Sequence, residues 1–147
     1  MTIRTSIIGP ELARFQNLLC WTLRQQVIHG FTNHLWNGVT TPELARCIDQ
    51  IIRGDTFVRG VRHVYACDVS KADLISAICR FYGHRAEIIP FEAPGSCDRR
   101  LRTRFPEWLR RLNLSPLEEQ IAALPSLTTV GGAWCSPPWS NTSRLIR

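Results

Sequence analysis

A mixed α/β fold is predicted for this chain by three observations. Short runs are rich in β-branched residues, other stretches repeat apolar side chains every three or four positions, and clusters of hydroxyl, proline and acidic residues mark helix starts. Together they predict a few strands with about four helices. The most informative stretch is Gly30 to Ala45 (GFTNHLWNGVTTPELA). Its first half mixes apolar and amide side chains and is read as a short strand and loop. After Gly38, the run Thr40, Thr41, Pro42 and Glu43 supplies a hydroxyl cap, a proline at the first helical position and an acid in the positive first turn. A loop anchored in this way can hold Asn33, Trp36 and Asn37 in place for a flat, hydrogen-bonding ligand. The competing reading is a buried tryptophan with two turn asparagines.

The remaining elements follow in order. Ile3 to Gly9 is short and β-branched, as in a strand buried on both faces. Gly9, Pro10 and Glu11 start a helix whose face is Leu12, Phe15, Leu18, Leu19, Thr22 and Leu23, running to about residue 26. Leu44, Ile48, Ile51 and Ile52 form the face of the helix after the central loop, which stops at Gly54. An alternating stretch in Val58 to Cys67 predicts a strand, with His63 a structural histidine because no second ligand sits at a useful spacing. Ser70 and Asp73 cap a further helix that Gly83 ends. Ser70 and Lys71 are no catalytic pair, since neighbours in a first helical turn point apart. Glu87 to Phe91 is a short strand limited by Pro90. Ser115, Pro116 and Glu118 start a last helix that runs to about Leu124. The remainder, 125–147, is rich in Ser, Thr, Gly and Pro and is expected to be a disordered tail.

Composition narrows the function classes. With 147 residues, 44% hydrophobic and 20% charged, the chain suits one globular domain. No apolar run reaches membrane-spanning length and no signal-peptide pattern opens the chain, so a cytoplasmic protein without membrane association is expected. The six cysteines lack zinc spacing, and no metal site is expected. The net charge of +6 arises from seventeen arginines and one lysine, Lys71. No basic stripe interleaves with aromatics, so a phosphorylated small molecule is expected in preference to nucleic acid. Gly95 to Phe105 (GSCDRRLRTRF) concentrates Arg99, Arg100, Arg102 and Arg104, and guanidinium groups on a loop suit a diphosphate as well as a solvated basic surface.

The succession RTSIIGPE, GFTNHLWNGVTTPELA, HVYACDVSKADLISAI, EIIPFEA with CDRRLRT, and LSPLEEQI resembles the C-terminal, substrate-binding half of extended short-chain dehydrogenases/reductases of Rossmann type. The dTDP-4-dehydrorhamnose reductase type of sugar-nucleotide reductase is the nearest likeness, over 1–124. The resemblance implies a substrate lobe with one residual strand of the Rossmann sheet. It places Thr5 and Ser6 beside the nicotinamide and sugar, and Trp36 at the turn into the helix that covers the substrate. Arg99 and Arg102 then fall where related enzymes hold the nucleotide's phosphates.

Two parts of the family's pattern do not occur. There is no GxxGxxG turn for the NAD(P) diphosphate, and neither Tyr65 nor Tyr82 begins a YxxxK motif. The expectation is therefore a nucleotide-sugar-binding part, of dTDP-sugar type, that binds no cofactor alone, has no catalytic residue of its own and is inactive by itself. A separate Rossmann half would complete it, and the exposed Ile3–Ile8 edge predicts self-association. The alternatives are a noncatalytic nucleotide-sugar-binding module and a nonfunctional truncated remnant.

Overall fold

The computed structural model describes residues 1–11 and 16–125. The expected helical residues Leu12 and Phe15, and the expected tail from 126 onward, lie outside the described residues. Within them the fold is mixed α/β with five helices and mainly parallel strand pairs.

The first segment forms two strands, β1 (Thr2–Arg4) and β2 (Ile7–Ile8). They take different partners: β1 pairs in parallel with β6 (Val61–His63), and β2 pairs in parallel with β5 (Val39–Thr40). Thr5 and Ser6 make the crossing, with the Ser6 carbonyl accepting from the Val39 amide at 2.9 Å. The expected burial on both faces does not hold, since Thr2 and Arg4 are exposed and Ile7 is 54% exposed. Each of these strands is packed and bonded on one side only among the described residues.

The expected helix start at Pro10 is also corrected. The first described helix, α1 (Leu18–Thr22), is capped by Asn17, whose side chain accepts from the Cys20 amide at 2.8 Å. Glu11 precedes it outside any helix, and its carboxylate accepts from the amides of Gln16 and Asn17. β3 (Val27–Phe31) then pairs in parallel with β8 (Glu87–Phe91) over five residues. Pro90 fits in β8 because β3 is that strand's one bonded neighbour among the described residues. β4 (His34–Trp36) is the centre of a three-stranded sheet, antiparallel to β7 (Val69–Ser70) and parallel to β9 (Cys97–Asp98).

α2 (Thr41–Arg53) begins as its sequence predicts, with Thr40 Oγ1 accepting from the Glu43 amide and Pro42 in the first turn. α3 (Lys71–Tyr82) is capped by Ser70, whose hydroxyl accepts from the Asp73 amide at 3.1 Å and donates to the Asp73 carboxylate at 2.7 Å. Gly83, at φ 63°, ends it in the left-handed conformation that glycine adopts without strain. α4 (Pro106–Arg111) is a helix the sequence reading left out, although Pro106 and Glu107 carry a helix-start pattern. α5 (Leu117–Ala122) starts without a side-chain cap, because its N-cap is Pro116, which carries no side-chain acceptor, and not the expected Ser115, whose amide donates to Glu43.

The helices bury their apolar faces in two main clusters. Leu74 and Ile78 of α3 meet Leu19, Ile8 and Ile121, while Cys47 and Ile51 of α2 meet Val39, Val64, Trp108 and Leu112. Fully burying a side chain such as Ile78 contributes about 1.5–3 kcal/mol. This is why the short α4 and α5 are held: each contributes a buried anchor, Trp108 and Ile121, to a core that longer helices supply.

Candidate functional site

A cavity of about 620 Å³ opens where the exit of β2, strand β4, the start of α3 and strand β9 converge. Its wall includes Ser6 to Glu11, Phe31, His34 to Trp36, Lys71, Leu74, Cys97 and Arg99. This volume suits a small-molecule ligand, and a cavity at the ends of parallel strands that take different partners is a common binding position in α/β folds.

Ser6 and Trp36 form one wall. The Trp36 indole Nε1–H donates to Ser6 Oγ at 2.7 Å. That bond fixes the ring and occupies an acceptor site of the hydroxyl, leaving the hydroxyl's own proton for an acceptor in the cavity. Gly38 makes the contact sterically feasible, because a Cβ there would collide with the Ser6 carbonyl and the Trp36 ring. A Cβ on Gly9 would likewise strike the side chain of Thr41 at the start of α2. These two glycines let the β2 exit and the β4–α2 turn lie against each other.

Ser6, Trp36 and Arg99 are thus brought together on one cavity, whereas the other expected site residues have different positions. Thr5 stands one residue outside the wall, its hydroxyl donating to the Ser6 carbonyl at 3.3 Å. Asn33 forms a two-point pair with the backbone of Ala93, donating at 2.7 Å and accepting at 3.1 Å. Asn37 is fully buried. Its side chain accepts from the Leu101 amide at 2.8 Å and donates to the Leu101 carbonyl at 3.0 Å and to Asp68 at 3.1 Å. The two asparagines thus pin the 93–101 segment to β4. Arg102 is held by Asp68 at 3.0 Å and does not line the cavity.

The arginine loop is largely self-neutralised. Arg100 donates to Asp98 through Nε and Nη2 at 2.8 and 2.7 Å, and to Asp68 through Nη1 at 2.9 Å. The Arg102 guanidinium, helped by Arg100 and Asn37, holds the Asp68 carboxyl below its ordinary value, and Arg100 holds Asp98 well below the usual carboxylate range. The sequence puts Arg99 and Arg102 together as phosphate candidates, because Asp68, which holds Arg102, lies 34 residues away.

Lys71, Phe31, His34 and Cys97 also line the cavity. Lys71 is the first residue of α3, directly after the Ser70 cap, whose strand β7 pairs with β4. Burial pushes the Cys47 thiol up to about 11 and raises that of Cys79, so both behave as small apolar side chains.

Neither long helix begins with the glycine-rich turn that cradles a dinucleotide's diphosphate. The long helices α2 and α3 present Glu43 and Asp73 in their first turns, where a diphosphate would meet a carboxylate in place of a glycine-rich turn. No group of three or more His, Cys, Asp or Glu among the described residues is placed to hold a metal ion. No helix among them is long and apolar enough to cross a membrane.

No protein-family model and no curated protein matches the chain. Solved structures do. The chain shares part of a Rossmann-like α/β fold with dTDP-4-dehydrorhamnose reductases and a UDP-glucuronic acid 4-epimerase. It superposes on a dTDP-4-dehydrorhamnose reductase from Clostridium acetobutylicum with a TM-score of 0.62 at 16% identity, over 82% of this chain and 45% of that one. The Bacillus anthracis dTDP-4-dehydrorhamnose reductase, solved with NADP, gives 0.61 at 15% identity over 82% and 45%. A UDP-glucuronic acid 4-epimerase from Bacillus cereus, solved with UDP-glucuronic acid and NAD, gives 0.52 at 16% identity over 82% and 42%. The chain thus spans less than half the length of these structures. At such identities the likeness is one of fold.

Proposed function

We propose that this chain is the nucleotide-sugar-binding part of a dTDP-4-dehydrorhamnose reductase-like, NAD(P)-dependent oxidoreductase, and that these residues by themselves bind the sugar nucleotide without reducing it. The observation that carries this reading is the cavity of about 620 Å³ joining Ser6, Trp36 and Arg99. It offers a hydroxyl proton, aromatic surface and a guanidinium, the three chemistries a sugar, a base and a phosphate require. Its setting supports the same reading, since the fold is shared with reductases and epimerases that act on such compounds. The residues that would hold cofactor and deliver a proton, GxxGxxG and YxxxK, do not occur in this sequence. The single-sided pairing of β1 and β2 among the described residues supports a further expectation, that another segment completes the sheet beside them.

Titration calorimetry with dTDP-rhamnose tests the binding half of this reading, and saturable heat is expected. Incubation with NADPH and dTDP-4-dehydro-6-deoxy-L-mannose tests the other half, with no loss of NADPH absorbance expected. A flat calorimetric trace refutes the binding role. Steady NADPH consumption refutes the predicted inactivity.

A further inference from the structure

The cations on the cavity wall and beside it are unequal in kind. Arg100 and Arg102 are matched by Asp68 and Asp98, but the guanidinium of Arg99, which lines the cavity, has no ion-pair or hydrogen-bond partner among the described residues. Its backbone is fixed, the amide donating to the Leu35 carbonyl of β4 at 3.0 Å. On the adjoining wall Lys71 is the chain's one lysine. Its Nζ lies 5.1 Å from the centroid of Phe31 and 5.7 Å from that of Trp21, with no carboxylate in ion-pair range among the described residues. Asp73, the acid nearest in sequence, is bonded to Ser70. The one carboxylate on the wall, Glu11, accepts two backbone amides through Oε2.

We propose that Lys71 and Arg99 form the phosphate-binding end of this cavity and that Arg102 takes no part in it. Ring faces hold an ammonium in place without neutralising it, so Lys71 keeps its full charge for a ligand. Arg99 adds a forked donor on a pinned backbone, and two such cations in a concave, partly apolar site focus a positive potential on whatever enters. The class of ligand is a phosphate or diphosphate ester. The assignment rests on the nucleotide-sugar reading given above and adds to it a residue, Lys71, and an exclusion, Arg102.

The test compares thymidine, dTDP and inorganic pyrophosphate by calorimetry on the full chain and its variants. Wild-type protein is expected to bind dTDP more tightly than thymidine. Lys71→Gln and Arg99→Gln should each weaken dTDP binding by roughly tenfold or more, the usual loss for one charge-assisted contact, with thymidine affinity unchanged. Arg102→Gln should change dTDP affinity by less than about threefold. Lys71→Arg keeps the charge and guards against a folding defect, and should stay within about threefold of wild type. Unchanged dTDP affinity in both Lys71→Gln and Arg99→Gln, an Arg102→Gln loss as large as theirs, or a tenfold loss in Lys71→Arg overturns the assignment. Pyrophosphate binding that depends on Lys71 and Arg99, without any binding of dTDP-rhamnose, supports the phosphate site and sinks the nucleotide-sugar reading. Binding of dTDP-rhamnose indifferent to both residues does the reverse.

Discussion

Two carboxylates, Glu43 and Asp68, do the same chemical work in different surroundings. Each joins the central β4–α2 region to the last third of the described chain through arginine. Glu43 takes a fork from Arg46 at 3.0 and 2.7 Å and the Ser115 amide at 2.9 Å, while Arg46 reaches on to the Leu112 and Asn113 carbonyls. Asp68 takes Arg100, Arg102 and the Asn37 amide group. The Glu43 side chain is 5% exposed and that of Asp68 is 42% exposed. Water can replace a lost partner at the second and hardly at all at the first. Glu43 therefore clamps the scaffold beneath the site, and Asp68 trims the charge of a loop beside it.

The largest effect is expected from breaking the buried clamp. Glu43→Ala leaves the Ser115 amide and the inner face of Arg46 without an acceptor, and should destabilise the fold by about 2–4 kcal/mol in urea denaturation. Burial by itself would raise the Glu43 carboxyl, but the Arg46 fork and the Ser115 amide outweigh it and the net value lies below the ordinary 4.5. A carboxyl depressed in the folded state contributes stability above its unfolded value, and that stability is lost as pH falls through the folded one. Wild type should therefore lose more stability than Glu43→Ala between about pH 5 and pH 3. Parallel acid profiles would show that the clamp does not depend on charge.

An intermediate effect is expected at Asn37, which sits between the two regions. It is fully buried, yet the partners it holds lie on the partly exposed loop. Asn37→Ala removes both side-chain bonds to Leu101 and should cost about 2–3 kcal/mol. The diagnostic readout is hydrogen exchange at the Leu101 amide, which should lose protection by more than global destabilisation accounts for. If Leu101 and the α3 amides lose protection equally, the loop is part of the scaffold and the contrast between the two regions disappears.

The same contrast marks what the sequence made legible. Helix starts at Thr40 and Ser70 and the stop at Gly83 were readable because cap, first-turn residues and glycine act within a few positions of one another. Ser6, Trp36 and Arg99 were named from local chemistry and a resemblance, and all three reach the cavity. What stayed hidden depends on long-range partners. Asn33 and Asn37 looked like ligand-facing amides, but they meet backbone 60 and 64 residues away. Arg102 looked like a phosphate ligand because its sequence neighbours do not reveal Asp68. Glu43 was legible as a first-turn acid, and its reach to Ser115 was not. Lys71 was visible only as the other half of an unworkable serine–lysine pair, since Phe31 and Trp21 come to it through the fold.

The smallest effect on stability should come from Asp68→Asn, and it is the sharpest test of how burial divides the two clusters. An exposed carboxylate paired with two arginines is worth up to about 1 kcal/mol, and salt should erode even that. The same substitution removes one of the two carboxylates that hold Arg100 and the ion-pair partner of Arg102. The loop beside the cavity then gains positive charge while the scaffold keeps its stability. Urea midpoints for wild type and Asp68→Asn should converge as sodium chloride is raised to about 1 M, where the Debye length falls to about 3 Å. A loss as large as that of Glu43→Ala, persisting in high salt, would place Asp68 among the fold's supports. It would also mean that the arginine loop is a structural strap first and a neighbour of the ligand second.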